Sequence, residues 1–162
     1  MAEATNVMVI GRFLEEILNQ GRFEVANEIV AEDFVELDPL PGQRQGRDGL
    51  VEVLKGLRTA FPDMHWKAEE TIASGDKVVT RFTWTGTQEG EFLGIPATGR
   101  GVTVKGVVID RVVGGRMADS RILMDTMGLM QQLGVGPGAS LRGIVATSFG
   151  LRSGLRQSGL PL

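Results

Sequence analysis

The spacing of apolar residues along this chain changes period once, at His65, and that switch constrains the fold more than any other feature. Ahead of it Val7, Ile10, Leu14, Ile17 and Leu18 recur at helical spacing, and Gly21 supplies a C-terminal stop, which predicts an amphipathic helix. Phe23, Ala26, Ile29 and Val30 form the stripe of a second, short helix over 23–30, followed by a brief strand over 33–37. The turn-rich Asp38-Pro39-Leu40-Pro41-Gly42 leads to a third helix, opening near Asp48, striped by Leu50, Leu54, Leu57 and Phe61 and halted by Pro62. From His65 onward the chain is β-branched, Thr-rich and alternating, broken by glycines, which predicts antiparallel strands over 64–74, 77–86, 102–113 and 116–127. Helices segregated ahead of strands make an α+β domain.

Smaller signals fill in this frame. Gly75-Asp76 reads as a two-residue hairpin turn, which sets Glu70 opposite Arg81 as a favourable cross-strand pair. Residues 89–99 hold Phe92, Leu93, Ile95 and Pro96 between glycines, the pattern of an apolar flap with flexible hinges. Met127, Leu129, Met130 and Leu133 close the domain with a helical turn before Gly134. The domain is expected to span 1–138, and 139–162 to be a Gly/Ser/Arg-rich extension. That extension carries three arginines and no acid, leaving a net −6 on the remainder, so a basic tail is expected to dock on an acidic body.

Composition narrows the chemistry by what it lacks. With no Cys and no Tyr there is no thiol nucleophile, thiolate zinc site or phenol donor, and a single His, His65, rules out a multi-His metal site. Proton transfer therefore falls to Asp, Glu, Lys or His65, and neither a metal nor a cofactor is expected. A net charge of −3 argues against a nucleic-acid partner. No apolar run approaches the ~20 residues of a membrane span, and no basic segment precedes the first helix, so a cytoplasmic protein is expected.

Several longer segments carry a family resemblance. Asp38-Pro39-Leu40-Pro41-Gly42-Gln43, Phe61-Pro62-Asp63-Met64-His65, Gly75-Asp76-Lys77-Val78-Val79, the run from Gly90 to Gly99 and the run from Met124 to Gly134 follow one another in the order of the SnoaL-like polyketide cyclases. These proteins, also called ester cyclases, fall within the nuclear-transport-factor-like superfamily, and the resemblance covers about residues 5–134. It implies a cone-shaped fold in which a curved antiparallel sheet wraps the helices around a deep apolar pocket. It also implies a hydrophobic small-molecule ligand, polycyclic or terpenoid-like, and a homodimer through the convex sheet face, where Lys105, Arg111, Asp119 and Arg121 would supply charge. The family chemistry it implies is intramolecular aldol ring closure by an acid/base carboxylate assisted by a His. In this chain the position of that His falls on Val108 and that of the Asp on Ile122, while Leu37 and Gln88 stand where relatives often carry further His.

Whether another carboxylate takes over depends on the register through Gly114-Gly115, since register decides every side chain's face. A two-residue turn sets Asp110 opposite Asp119, an unfavourable pair. A three-residue turn of Val113, Gly114 and Gly115 with a Gly bulge pairs Val112 with Arg116 and gathers Val104, Val108, Asp110, Ser120, Ile122 and Met124 on one face. The second register is expected, and because the resemblance implies that this face lines the pocket, Asp110 is the leading candidate base, with Ser120 beside it; the alternative is a hydrated or Arg-paired Asp110. Asp38 is the second candidate, against an Asx turn before Pro39. Leu37, Trp66, Phe82, Trp84, Val108, Ser120 and Ile122 are expected to line the ligand pocket, although the aromatics fit ordinary core equally well. Asp119, Arg121 and Asp125 resemble the water-activating set of epoxide hydrolases of this fold, but alternation places them on the opposite face, as a salt-bridge ladder. His65, at a strand start, reads as a surface residue. The functions left standing are a cyclase with an altered site centred on Asp110, a non-catalytic ligand-binding or accessory protein, and an epoxide-hydrolase-like enzyme.

Overall fold

The computed structural model describes residues 1–136, so the expected boundary at 138 and the 139–162 extension lie outside the described residues. The chain opens with α1 (Ala2–Arg12), which runs without a break into a π-helical segment, Phe13–Asn19. Ile10, Ile17 and Leu18 are buried as the stripe requires, but Val7 is 36% exposed. Asn6 takes the inward place instead, because its amide donates to the Gly75 carbonyl at 3.2 Å and ties the helix to a distant turn. Gly21, at φ +70°, ends the rod, and the Arg58 guanidinium donates to the Asn19 carbonyl at 2.8 Å.

A 3-10 turn (Phe23–Val25) and α2 (Ala26–Ile29) lead directly into β1 (Val30–Glu36). After the loop come α3 (Gly46–Ala60), β2 (His65–Ser74), β3 (Lys77–Thr87), β4 (Gly101–Val113), β5 (Arg116–Met124) and α4 (Thr126–Gln132). The Asp125 carboxylate caps α4 by accepting the Gly128 N–H at 2.8 Å.

One sheet holds the five strands in the order β1-β5-β4-β3-β2. The strands from His65 onward pair antiparallel as expected, and β1 adds a parallel edge beside β5. The Gly75-Asp76 turn has two residues, and Glu70 faces Arg81 with an ion pair of 3.3 Å. The β4–β5 turn departs from expectation. Val113 pairs with Arg116 across a two-residue turn whose glycines sit at φ +57° and +76°, a geometry that L side chains resist. The register then shifts between Val112↔Met117 and Arg111↔Asp119, with Ala118 as the extra residue of a bulge. Asp110 therefore meets Ser120 and not Asp119. The even-numbered residues do share a face, but a bulge within β5 puts them there and the turn does not.

Register irregularities in β1–β5, β4–β5 and β2–β3 bend the sheet, and the helices fill its concave side. Phe82, Trp84, Val104 and Met117 from the sheet pack there with Ile17, Val25 and Leu54. Gly106 makes room for this packing: a Cβ on it would lie 2.5 Å from Phe82 Cζ and 2.6 Å from the Leu123 carbonyl oxygen. The flap is held from within by Gln88. This fully buried side chain donates to the Ile95 carbonyl at 3.0 Å and accepts from the Thr98 hydroxyl at 2.7 Å, gripping both arms of the loop. The flap's Phe92 ring meets Phe61 edge-on at 5.4 Å. Among the described residues no helix is long and apolar enough to cross a membrane.

Candidate functional site

Between the concave sheet face, the first helix, α3, the flap and α4 lies a cavity of about 200 Å³. Ile10, Leu14, Leu54, Phe92 and Leu129 give it an apolar wall, and its ionisable lining groups are Glu36, Asp38 and Asp110. Trp66, Phe82 and Trp84 line it as the sequence suggests and are also core, since each is buried. Trp66 stacks on Trp84 at 5.7 Å because the two face each other across the β2–β3 ladder. The Thr80 hydroxyl and the indole N–H groups of Trp66 and Trp84, all on lining residues, are buried with no hydrogen-bond partner among the described residues. Each such donor costs roughly 1–3 kcal/mol until it finds an acceptor.

The acidic end of the cavity is built by register. Asp110 on β4 pairs with Ser120 on β5, and Ser120 pairs with Glu36 on β1, so three polar side chains form one row across three strands. Strand spacing of about 4.8 Å puts the Glu36 and Asp110 backbones about 10 Å apart, with the Ser120 side chain between them. Neighbouring charges are paired outward. Arg111 holds Asp119 at 2.6 Å and Arg121 holds Asp38 at 3.0 Å, and among the described residues neither Glu36 nor Asp110 has an ion-pair partner.

Burial without a counter-cation raises both carboxyls. Asp110, 3% exposed, is pushed from 3.8 up to about 7, chiefly by desolvation; hydrogen bonding from Ser120 opposes the rise and the charge of Asp119 adds to it. Glu36 is half-buried and is raised from 4.5 to about 7, by desolvation first and then by the charges of Asp110 and Asp38, against backbone N–H groups of Asp38 and Leu37 that favour its ionised form. Two carboxyls poised near neutrality in one apolar cavity can hold an acid and a base at the same time.

Glu36 escaped the sequence reading, although strand alternation from buried Phe34 carried the signal: two residues on, the side chain returns to the same face. The neighbouring candidate, Leu37, needs correction. It stands outside the cavity lining and is 44% exposed, since alternation turns it outward while its N–H extends β1 by bonding the Ser120 carbonyl at 2.9 Å. Asp38 lies at the cavity lip with its carboxylate on Arg121. Val108, Ser120 and Ile122 line the cavity. The epoxide-hydrolase set is dispersed: Asp119 is bound to Arg111, Arg121 to Asp38, and Asp125 caps α4. His65 is exposed at the start of β2 and outside the lining.

Comparison with known proteins gives this cavity a context. The family model of the SnoaL-like polyketide cyclases matches residues 8–133. The chain belongs to that family. Among curated relatives, the aklanonic acid methyl ester cyclase DnrD of Streptomyces peucetius is 25% identical over 134 residues, covering 81% of this chain and 92% of that one. Among solved structures, TsrD from Streptomyces laurentii superposes with a TM-score of 0.76 at 28% identity, covering 82% of this chain and 97% of that one. IdmH from Streptomyces antibioticus gives 0.69 at 29% identity, covering 80% and 99%. In this SnoaL-like chain Val108 and Ile122 face each other across the ladder, one alternation from Asp110 and Ser120, or about 7 Å along the strands.

Proposed function

We propose that this SnoaL-like protein is a cofactor-independent cyclase that closes a ring in a hydrophobic, carbonyl-bearing substrate of polyketide type, with Asp110 as general base. The observation that carries the reading is Asp110 itself: a carboxyl in the cavity wall, 3% exposed, without a cationic partner among the described residues and raised to about 7. Such a group is ionised often enough at neutral pH to accept a proton, and basic enough to hold it. The chemistry is an aldol-type closure in which Asp110 takes a proton from the carbon beside a carbonyl and the resulting enolate attacks a second carbonyl carbon. The altered site is the family's acid/base function displaced by one strand alternation, from the aliphatic Val108–Ile122 pair to Asp110–Ser120. The apolar wall suits a hydrophobic body.

The experiment is solvent deuterium exchange into a hydrophobic β-keto ester, followed by mass spectrometry. Exchange is expected with the native protein and is expected to fall at least ~100-fold in Asp110→Asn. No exchange in the native protein across pH 5–9 removes the reading. A second reading, a ligand-binding protein without chemistry, is favoured by Val108 and Ile122, which leave the family's positions aliphatic. It is distinguished by ligand affinity that Asp110→Asn leaves unchanged with no exchange at all. Self-association through the outer sheet face also belongs to the proposal, supported by the exposed Ile109 and Leu123 among Arg111, Asp119 and Arg121 on that side. Light scattering of the purified chain tests it.

A further inference from the structure

We infer that Glu36 is a second catalytic carboxyl, which shares one proton with Asp110 across the Ser120 hydroxyl and serves as the general acid of the reaction. The inference rests on the proposed cyclase reading and adds the missing acid to its base. Its ground is geometric. Glu36, Ser120 and Asp110 occupy one row of the ladder, on three adjacent strands, and all three side chains line the same cavity.

The surrounding charges disfavour the state in which both acids are ionised. From β1 and the following loop the pair meets Asp38; from β4 and β5 it meets Asp119, Arg111 and Arg121. These four are bound to one another as Arg111–Asp119 and Arg121–Asp38. The first helix, α3, the flap and α4 add no ionisable group to the lining. Two carboxyls desolvated in one apolar cavity with no cation between them are costly to ionise together, and one proton retained between them lowers that cost. Desolvation raises both groups, and the charge of Asp110 raises Glu36 further.

The division of labour follows from the singly protonated pair. In the arrangement with the proton on Glu36, ionised Asp110 removes the C–H proton and an enolate forms. The enolate carbon attacks the carbonyl carbon, making one C–C bond and opening the carbonyl π bond onto oxygen. Glu36 donates its proton to that oxygen, so the net change is one proton moved from carbon to oxygen and one C–C bond made. The pair is left with the proton on Asp110. Ser120, a donor and acceptor between the two, returns it to Glu36, whose half-buried position also gives the pair its access to water.

The test is a carboxyl-carbon NMR titration of the full chain with labelled Asp and Glu, in the native protein, Asp110→Asn and Glu36→Gln, combined with the exchange and ring-closure assays. Glu36 and Asp110 are expected to titrate together near neutrality. The Glu36 midpoint is expected to fall by about one pH unit in Asp110→Asn. Glu36→Gln is expected to lose ring closure by ~100-fold or more, and by a larger factor than it loses deuterium exchange, whose C–H step is carried by Asp110. A Glu36 midpoint in the ordinary carboxylate range, or one that Asp110→Asn leaves in place, overturns the pair while the Asp110 reading stands on exchange alone. Coupled titration without exchange in the native protein overturns the cyclase reading and leaves the shared proton intact. Asp110→Asn reports on Glu36 even if Glu36→Gln fails to fold.

Discussion

Replacing Asp110 by Asn should make the protein more stable, and increasingly so as pH rises. An acid raised from 3.8 to about 7 by burial keeps its proton in the folded state where the unfolded chain has released it. Below about pH 4 both states are protonated and the group contributes no slope. Between pH 4 and 7 the folded state binds the extra proton, so native stability falls with rising pH by at most about 1.4 kcal/mol per unit. Above 7 the loss is complete. The limit is about 4 kcal/mol, and water entering around the ionised carboxylate reduces it to roughly 2–4 kcal/mol. Asn has nearly the same size and can still bond Ser120, but it carries no charge to desolvate. Glu15, Glu16, Glu69 and Asp63 are lowered by hydrogen bonds and give slopes of the opposite sign at low pH, but these are common to both proteins and cancel in the difference. Urea unfolding of both proteins at pH 4, 6 and 8.5 gives that difference directly. Asp110→Asn is expected to gain at least 2 kcal/mol on the native protein between the lowest and highest pH. A constant difference refutes the uncompensated buried acid and, with it, the raised base.

Three other substitutions probe how the site is held. Gly106→Ala drives a methyl group against Phe82 and the Leu123 carbonyl and should cost about 2–3 kcal/mol by urea unfolding, whereas Gly101→Ala meets nothing and should be near neutral. Asn19→Ala removes the side chain that accepts the Trp66 N–H at 2.7 Å and donates to the Trp66 carbonyl at 2.9 Å, so a loss of about 2 kcal/mol is expected, with a change in tryptophan fluorescence. Gln88→Ala releases both arms of the flap, and limited proteolysis within 89–99 should speed up at least ~10-fold while far-ultraviolet circular dichroism is unchanged.

Much of this fold is legible in local pattern, because its information is local. Helical spacing before His65 and alternation after it give the elements, and Gly75-Asp76 with its flanking residues gives one hairpin register outright. The facing of Asp110 is legible because alternation along β4 is unbroken. The β4–β5 register illustrates the limit: the like charges of Asp110 and Asp119 argue against a two-residue turn, and the bulge at Ala118 that keeps them apart has no marker residue to reveal it. Glu36 is missed for a longer-range reason. Its place beside Ser120 depends on parallel pairing of β1 with β5, and nothing within 33–37 names a partner strand. Leu37 is misplaced in the same segment, by one residue, which on a strand is the whole difference between cavity and solvent.

That parallel edge also carries a cost in chain entropy. The hairpins from β2 to β5 join strands that are neighbours in sequence, whereas Glu36 must find Ser120 across 84 residues, so the β1 edge carries the largest loop-closure cost in the sheet. Glu36 reaches the row only through that pairing, so the two carboxyls of the cavity lie on distant stretches of chain that the closed sheet alone brings together.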